Sequence, residues 1–301
     1  MTKSGLDQAG QDDIPALWKE NKWIGTFRSS NKPCKTRFLT LSQFQPYHLS
    51  NPSPWPLLSS FGAISLVVSF ATFFSLIGAP SLLLLSSFTL ALVLYQWWRD
   101  VCREGSVQGF HTARVQSGLQ WGIALFILSE VMLFFSLFWG YFHFSLSTRV
   151  PVGQAWPPVG LVSFNAFELP LLNTLILLGS GVTITVAHHG LCVQEHGWVL
   201  KRLVITICLG LYFTALQGLE YSVRRFSLMD RRYGSVFFIS TGTHGLHVLL
   251  GSCFILVRVA RLIKGQFSSS HHFGFEASAW YWHFVDVVWL LLFSVFYWWG
   301  A

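Results

Sequence analysis

Charged residues are scarce in this 301-residue sequence, at 11%, whereas hydrophobic residues make up 52% of it. Soluble globular domains carry about 25% charged residues, so the composition excludes that class. Between residues 57 and 301 the chain repeatedly runs for about 18 residues or more almost without charge, which is typical of transmembrane helices. The sequence therefore predicts a polytopic membrane protein.

Cysteine is also sparse, and the five cysteines are scattered without a CxxC pair. Neither a structural zinc site nor a disulfide framework is predicted, and reduced, buried thiols are the simpler interpretation. The sequence has no glycine-rich phosphate loop, no nucleophile beside an obvious base and no CxxCH motif for covalent haem. Catalysis by this chain alone is therefore unsupported, and we expect no metal site.

An early apolar stretch is missing as well, and residues 1–30 carry several acids, so we expect no cleavable signal or transit peptide. Residues 1–50 instead form a polar N-terminal extension that precedes a transmembrane domain over residues 51–301. The formal charge of +7 is spread over the extension and the loops. This distribution favours contact with anionic lipid headgroups over nucleic acid binding.

Seven apolar runs are long enough to cross a membrane, and only helices satisfy their backbone groups in lipid. Two lie within residues 57–98, and the others lie at about 119–143, 169–188, 203–222, 236–258 and 281–299. Lys and Arg are more frequent on the side of the N-terminal extension, which favours an N-terminus inside. Small residues between 171 and 189 predict that the fourth span packs within the protein.

Acidic residues within the apolar runs are the first candidates for function, because a carboxylate in lipid must be paired, protonated or hydrated. Glu130 lies near the middle of the third span. Two interpretations are open: a proton relay or polar contact in a lipid or substrate cleft, or a neutral acid bonded to a neighbouring helix. Asp286 lies three residues after His283, a spacing that allows a bonded pair, either for function or to join helices.

Paired histidines raise the alternative of a metal site, because imidazole binds iron, copper and zinc. The six residues in question are His188, His189, His244, His247, His271 and His272. No span carries the HxxxH or HxxHH boxes of membrane di-iron enzymes. Structural hydrogen bonding is therefore the favoured role for these side chains.

Cations and tryptophans adjoin at the end of the second span, where QWWRDVCREG occupies residues 96–105. Arg258, Arg261 and Lys264 add cations on the same side of the membrane. This combination fits a phospholipid headgroup site, and it also fits an ordinary positively charged flank with internal ion pairs.

Several motifs together resemble subunit III of the haem-copper cytochrome c oxidases. They follow the family's order and spacing, and they include NPSPWPL, QWWRDV, SEVM, LLNT, AHH, TGTHGLHV, HHFGFEA and WYWHFVDVVWL. The resemblance covers roughly residues 47–301. It implies an all-α membrane protein of seven transmembrane helices, the first two splayed from a bundle of five, with phospholipids in a V-shaped cleft.

The resemblance also implies a non-catalytic subunit of respiratory complex IV, an oxidoreductase and translocase. Such a subunit packs on the catalytic subunit, supports proton uptake and sustained oxygen reduction, and leaves haem and copper to partner subunits. Its expected ligands are phospholipids of the cardiolipin, phosphatidylethanolamine or phosphatidylglycerol type. We expect the mitochondrial inner membrane, in preference to a bacterial plasma membrane, with the N-terminus in the matrix and accessory subunits on the extension.

The resemblance and the cation pattern together give the predicted lipid contacts Trp98, Arg99, Glu104, His111, Arg261 and Phe273. Glu130 corresponds to the family's membrane-buried glutamate. The chain departs from the family in its long extension, in Thr243 where Phe is common, and in the outer-face arginines Arg224, Arg225, Arg231 and Arg232. These arginines predict either an acidic subunit over the patch or cytochrome c docking away from it.

Two other functions remain as alternatives. A stand-alone proton-coupled transporter would use Glu130 and Asp286, and it should show an internal repeat with interrupted helices, which the sequence does not show. A membrane di-metal oxygenase would use the six paired histidines and should bind stoichiometric metal.

Overall fold

The structure, a computed structural model, describes residues 46–49, 51–75, 80–147, 156–158, 165–223, 228, 231–268 and 271–300. The predicted extension over residues 1–50 lies outside these ranges except for residues 46–49. Arg224 and Arg225 also lie outside them, as does the side chain of Arg231. The expectations for the extension and for the arginine patch therefore stay predictions.

Seven helices in the described ranges are long and apolar enough to cross a membrane, and these ranges contain no strand. The helices are α1 (Trp55–Phe74), α2 (Pro80–Ser106), α3 (Ala113–Leu146), α4 (Leu169–Cys192), α5 (His196–Val223), α6 (Arg231–Ile263) and α7 (Phe273–Leu292). A π-helical segment over Phe293–Trp298 continues α7. The predicted all-α fold with seven transmembrane helices is confirmed.

The helices extend beyond the predicted spans, most clearly in α3, which has 34 residues. An uncharged run marks only the roughly 20 residues that lie in hydrocarbon, whereas a helix continues into its polar flanks. At the start of α3 the Thr112 hydroxyl accepts a hydrogen bond from the Val115 amide at 3.4 Å. Pro56 and Pro170 lie in the first turns of α1 and α4, where a missing amide N–H is tolerated.

Contacts between the described helices fall into two groups. α1 packs on α2 closely enough that a Cβ atom at Gly62 would lie 3.1 Å from Leu90 Cδ1. The main contacts of α4 are with α5 and α7, and α6 packs on both α5 and α7. α3 packs on α6 and α7.

Burial separates a central set of helices from a peripheral set. Within the most apolar segment of each helix, 6% of the residues are buried in α1, α2 and α3, compared with 33–56% in α4 to α7. Ser180 and Gly181 of α4 are both buried, which confirms the predicted internal position of the fourth span. α3 therefore lies at the edge of this core.

Two tryptophans of α7 lie at the centre of the core, where Trp282 and Trp289 are almost fully buried. The indole N–H of Trp282 donates to Ser180 Oγ at 2.9 Å, and that of Trp289 donates to Thr174 Oγ1 at 2.9 Å. Gly210 leaves room for Trp282, because a Cβ atom there would lie 2.7 Å from Cη2 of the indole. Such close packing and hydrogen bonding hold helices together in lipid, which supplies little hydrophobic driving force between them.

Candidate functional site

Polar side chains concentrate where α2, α4 and α6 end and α3, α5 and α7 begin. We call one group of them the polar end cluster: His48, Glu104, Ser106, His111, Gln116, Arg258, Arg261 and His271. Hydrogen bonds, an ion pair and ring contacts link most of its members. The cluster therefore joins the end of α2 to the main bundle.

The first part of the cluster surrounds His111, in the short loop between α2 and α3. His48 Nε2 lies 3.3 Å from Glu104 Oε2, and the His48 ring meets the His111 ring edge-on with centroids 6.0 Å apart. Gly105 permits this arrangement, because a Cβ atom there would lie 2.7 Å from His111 Nδ1. Burial lowers the pKa of His111, and the neighbouring His48 and His271 act in the same direction. His111 is therefore neutral at pH 7.

The second part of the cluster is built around Arg261 in the last turn of α6. Its guanidinium donates to Ser106 Oγ at 2.7 Å and to Gln266 Oε1 at 3.0 Å. It also lies over the Phe267 ring, 4.7 Å from the centroid. Arg261 thus connects α6 directly to the end of α2.

Arg258 lies one helical turn before Arg261 and is 8% exposed. Its guanidinium lies 4.5 Å from the Phe254 ring centroid, and its Nε atom has no hydrogen-bond partner among the described residues. A Cβ atom on Gly274 would lie 2.7 Å from Arg258 Nη1 and 3.1 Å from Arg261 Nη1. Two guanidinium groups therefore converge on one backbone position, and within the described ranges neither has a carboxylate partner.

The predicted lipid contacts are only partly brought together. Glu104, His111 and Arg261 lie in the polar end cluster, and Phe273 is the half-buried first residue of α7, beside Gly274. Arg99 instead binds Asp100, which also accepts a hydrogen bond from the Trp55 indole at 2.7 Å. Trp98 is 64% exposed. Arg258 was predicted as a cation on this side of the membrane but not as a lipid contact, although its spacing from Arg261 on an apolar helix was a usable signal.

Glu130 has a partner on α6. Its Oε2 atom lies 2.9 Å from His247 Nε2, and His247 Nδ1 lies 2.7 Å from the carbonyl oxygen of Thr243. A carbonyl oxygen only accepts, so Nδ1 is the donor to Thr243 and Nε2 is the atom that faces the Glu130 carboxyl. The pair therefore forms a hydrogen-bonding contact between α3 and α6, which suits both interpretations of Glu130.

The other predicted polar residues have separate environments. His244 Nε2 lies 3.2 Å from the carbonyl oxygen of Val285, so His244 and His247 do not converge on one point. The spacing of His283 and Asp286 does produce a pair, with Nδ1 and Oδ2 3.7 Å apart. Thr185 Oγ1 lies 3.1 Å from His283 Nε2 on the other side of the ring.

Comparison with known proteins identifies the family of this chain. The family model for cytochrome c oxidase subunit III matches residues 45–301. Cytochrome c oxidase subunit 3 of Drosophila melanogaster is 52% identical over 256 residues, which cover 85% of this chain and 97% of that protein. The Lumbricus terrestris protein of the same name is 51% identical over 257 residues, covering 85% and 99% respectively. The Salmo salar protein of that name is 50% identical over 259 residues, covering 86% and 99%. The chain is therefore a multi-pass membrane protein that belongs to the cytochrome c oxidase subunit III family.

Proposed function

We propose that the chain is a non-catalytic, phospholipid-binding core subunit of cytochrome c oxidase, which packs on the catalytic subunit and sustains oxygen reduction. The convergence of Arg258 and Arg261 on Gly274, with no carboxylate from the described part of the chain paired to either, carries the proposal. A buried guanidinium without a counter-ion is costly, so a negative group from outside the chain is expected here. A lipid phosphate supplies that charge at headgroup depth.

The chemistry of the two arginines fits phosphate in particular. A guanidinium presents a planar set of donors that matches two phosphate oxygens, and two converging guanidinium groups favour a full negative charge. The anionic headgroups of cardiolipin and phosphatidylglycerol therefore fit better than the zwitterionic phosphatidylethanolamine. His111, neutral at pH 7, adds no further positive charge beside the arginines.

The exposed apolar faces of α1 and α2 suit the acyl chains of the same lipids. Phe61, Leu84 and Phe88 are each at least 61% exposed, on helices that contact chiefly one another. Acyl chains lying along these faces, with their headgroups at the polar end cluster, would occupy the V-shaped cleft expected for the family. The lipids would then be held between two parts of one subunit.

A half-exposed histidine within α7 supports packing on another subunit. His283 lies roughly 15 Å along α7 from Phe273, near the middle of the hydrocarbon. Its side chain is 46% exposed, although imidazole is costly to leave in lipid, and its two nitrogens already face Asp286 and Thr185. A transmembrane helix of the catalytic subunit packed over the exposed part of the ring would shield it from lipid.

Haem and copper belong to partner subunits, and the chain lies in the mitochondrial inner membrane with its N-terminus in the matrix. The hydrogen-bonding contact between Glu130 and His247 supports a role for Glu130 as a polar contact in the lipid cleft, which assists proton uptake without being an obligatory proton carrier.

The proposal is tested by purifying the complex in mild detergent through this chain. We expect the reduced-minus-oxidised spectrum of the complex to show haem, and the chain stripped of its partners to show neither haem nor copper. The double variant Arg258→Gln/Arg261→Gln should assemble, start at the parental rate and lose activity sooner during turnover. A complex without haem would contradict the assignment, and an unchanged activity lifetime would contradict the role of the arginines.

A further inference from the structure

Three side chains of types that can bind a metal lie close together where α4 ends and α7 begins, and none of them belongs to the polar end cluster. His188 and Cys192 lie four residues apart in the last turns of α4, so both project from the same side of the helix. His272 immediately precedes α7. One ligand atom from each of these residues lies within 4.8 Å of the other two.

The two imidazole rings are already held in place. The His188 ring stacks on Phe275 with an interplanar angle of 16°, and its centroid lies 5.4 Å from that of His272. His188 Nε2 is shielded from solvent and has no hydrogen-bond partner within the described ranges. An orphaned imidazole nitrogen of this kind is an unused ligand position.

The contacts of His272 leave its second nitrogen directed toward another possible ligand. Its Nδ1 atom lies 3.1 Å from the Ser268 carbonyl oxygen, which only accepts, so Nδ1 is the donor. Its Nε2 atom faces Glu276 Oε1 at 3.3 Å, which brings a carboxylate oxygen next to the three side chains.

We propose that His188, Cys192 and His272 form a Zn²⁺ site that joins the end of α4 to the start of α7, with Glu276 or water in the fourth position. Thiolate sulfur, imidazole nitrogen and carboxylate oxygen are the donor atoms that this ion takes from proteins. Tetrahedral zinc places such ligands roughly 3.5 Å apart, so small side-chain rotations complete the site. When Zn²⁺ binds, the Cys192 S–H bond is broken, its proton passes to solvent and the Zn–S bond forms.

Differential labelling of the intact oxidase complex tests the site. The complex is treated with a chelator or with Zn²⁺, alkylated with iodoacetamide, and the labelled cysteines are quantified by peptide mass spectrometry. At Zn²⁺ about ten times the Kd, Cys192 should react roughly tenfold more slowly. Cys102, which lies beyond the apolar run of α2 and is partly exposed, should react at an unchanged rate and serves as the internal control.

Histidine variants distinguish a three-residue zinc site from zinc binding to Cys192 alone. His188→Gln and His272→Gln should each abolish the protection of Cys192, because a single thiolate binds the ion weakly. Protection that persists in both variants, or identical labelling with and without Zn²⁺, would overturn the proposal.

Cadmium titration gives a second readout that does not depend on access of the alkylating reagent. Cd²⁺ bound to a thiolate absorbs in the ultraviolet, so the parent complex should show more of this absorption than a Cys192→Ser complex. Cys208→Ser should leave the absorption at the parental level. Equal absorption in the parent and Cys192→Ser complexes would exclude the site, whether or not Cys192 is labelled.

Discussion

The pair α1–α2 and the core α4–α7 are equally able to span a membrane, but they are held in different ways. The core buries tryptophans against glycines and donates their indole N–H groups to hydroxyls of α4. The pair buries little of its apolar surface and reaches the bundle through the side chains of the polar end cluster. The core is therefore held by protein contacts, whereas the pair leaves most of its apolar sides exposed in this chain.

Replacing a leucine with alanine should change stability far more in the core than in the pair α1–α2, and this is the largest difference we expect. Leu177 is fully buried in α4, and Leu84 of α2 is 70% exposed. Leu177→Ala should destabilise the subunit by about 2 kcal/mol, toward the low end for buried leucines because lipid contributes no transfer term. Leu84→Ala should change stability by less than about 0.5 kcal/mol. Thermal unfolding of the purified complex measures both, and equal effects would remove the distinction.

A glycine in the core should respond with the opposite sign from an exposed glycine. Gly210→Ala places a methyl group against Trp282 and should cost about 1–2 kcal/mol. Gly218→Ala, on the same helix but with open space, should be neutral or stabilising by up to about 1 kcal/mol. The yield and melting temperature of the complex report the difference. Equal changes in melting temperature for the two variants would show that α5 does not pack tightly against Trp282 at Gly210.

The contact between α3 and α6 can be tested at Glu130. Glu130→Gln keeps a donor for His247, so the complex should assemble normally with a modest change in activity. Glu130→Leu leaves His247 Nε2 without its partner and should cost about 1 kcal/mol, as interhelical hydrogen bonds in membranes do. Complete loss of oxygen reduction in an intact Glu130→Gln complex would instead assign Glu130 an obligatory proton role.

The smallest effect we expect is a pH dependence of stability that arises from His111, in the loop that joins α2 to α3. The pKa of His111 is lowered in the folded protein, chiefly by burial, with His48, His271 and Arg261 acting in the same direction and Glu104 opposing them. Its contribution to stability is therefore complete above the ordinary pKa of 6.5 and is lost as the pH falls below it. Melting temperatures at about pH 8 and pH 5.5 should differ less in His111→Gln than in the parent. An identical difference would show that His111 does not contribute.

The sequence allows the fold to be predicted in some detail, because uncharged runs report where helices cross lipid. It also allows the His283–Asp286 pair to be predicted, since residues three apart on a helix are neighbours. The partner of Glu130 could not be predicted, because His247 lies on a different helix and helix rotation is fixed only by packing. The proximity of His188, Cys192 and His272 could not be predicted for the same reason, because these residues lie at the ends of two different helices.

The proposed lipid site shows what the sequence leaves open. The cations at the ends of α2 and α6 are visible in the sequence, and Arg99 pairs with its neighbour Asp100, as expected for a flank with internal ion pairs. The approach of Arg258 and Arg261 to Gly274 depends on how α6 packs on α7, so only the three-dimensional arrangement shows it.

Counting the phospholipids bound to the purified complex tests the central claim most directly. Native mass spectrometry of Arg258→Gln/Arg261→Gln should show at least one anionic phospholipid fewer than the parent. The control Lys201→Gln/Arg202→Gln removes two cations at the same end of the bundle and should retain the parental number. An intact double variant with unchanged phospholipid content would contradict the account.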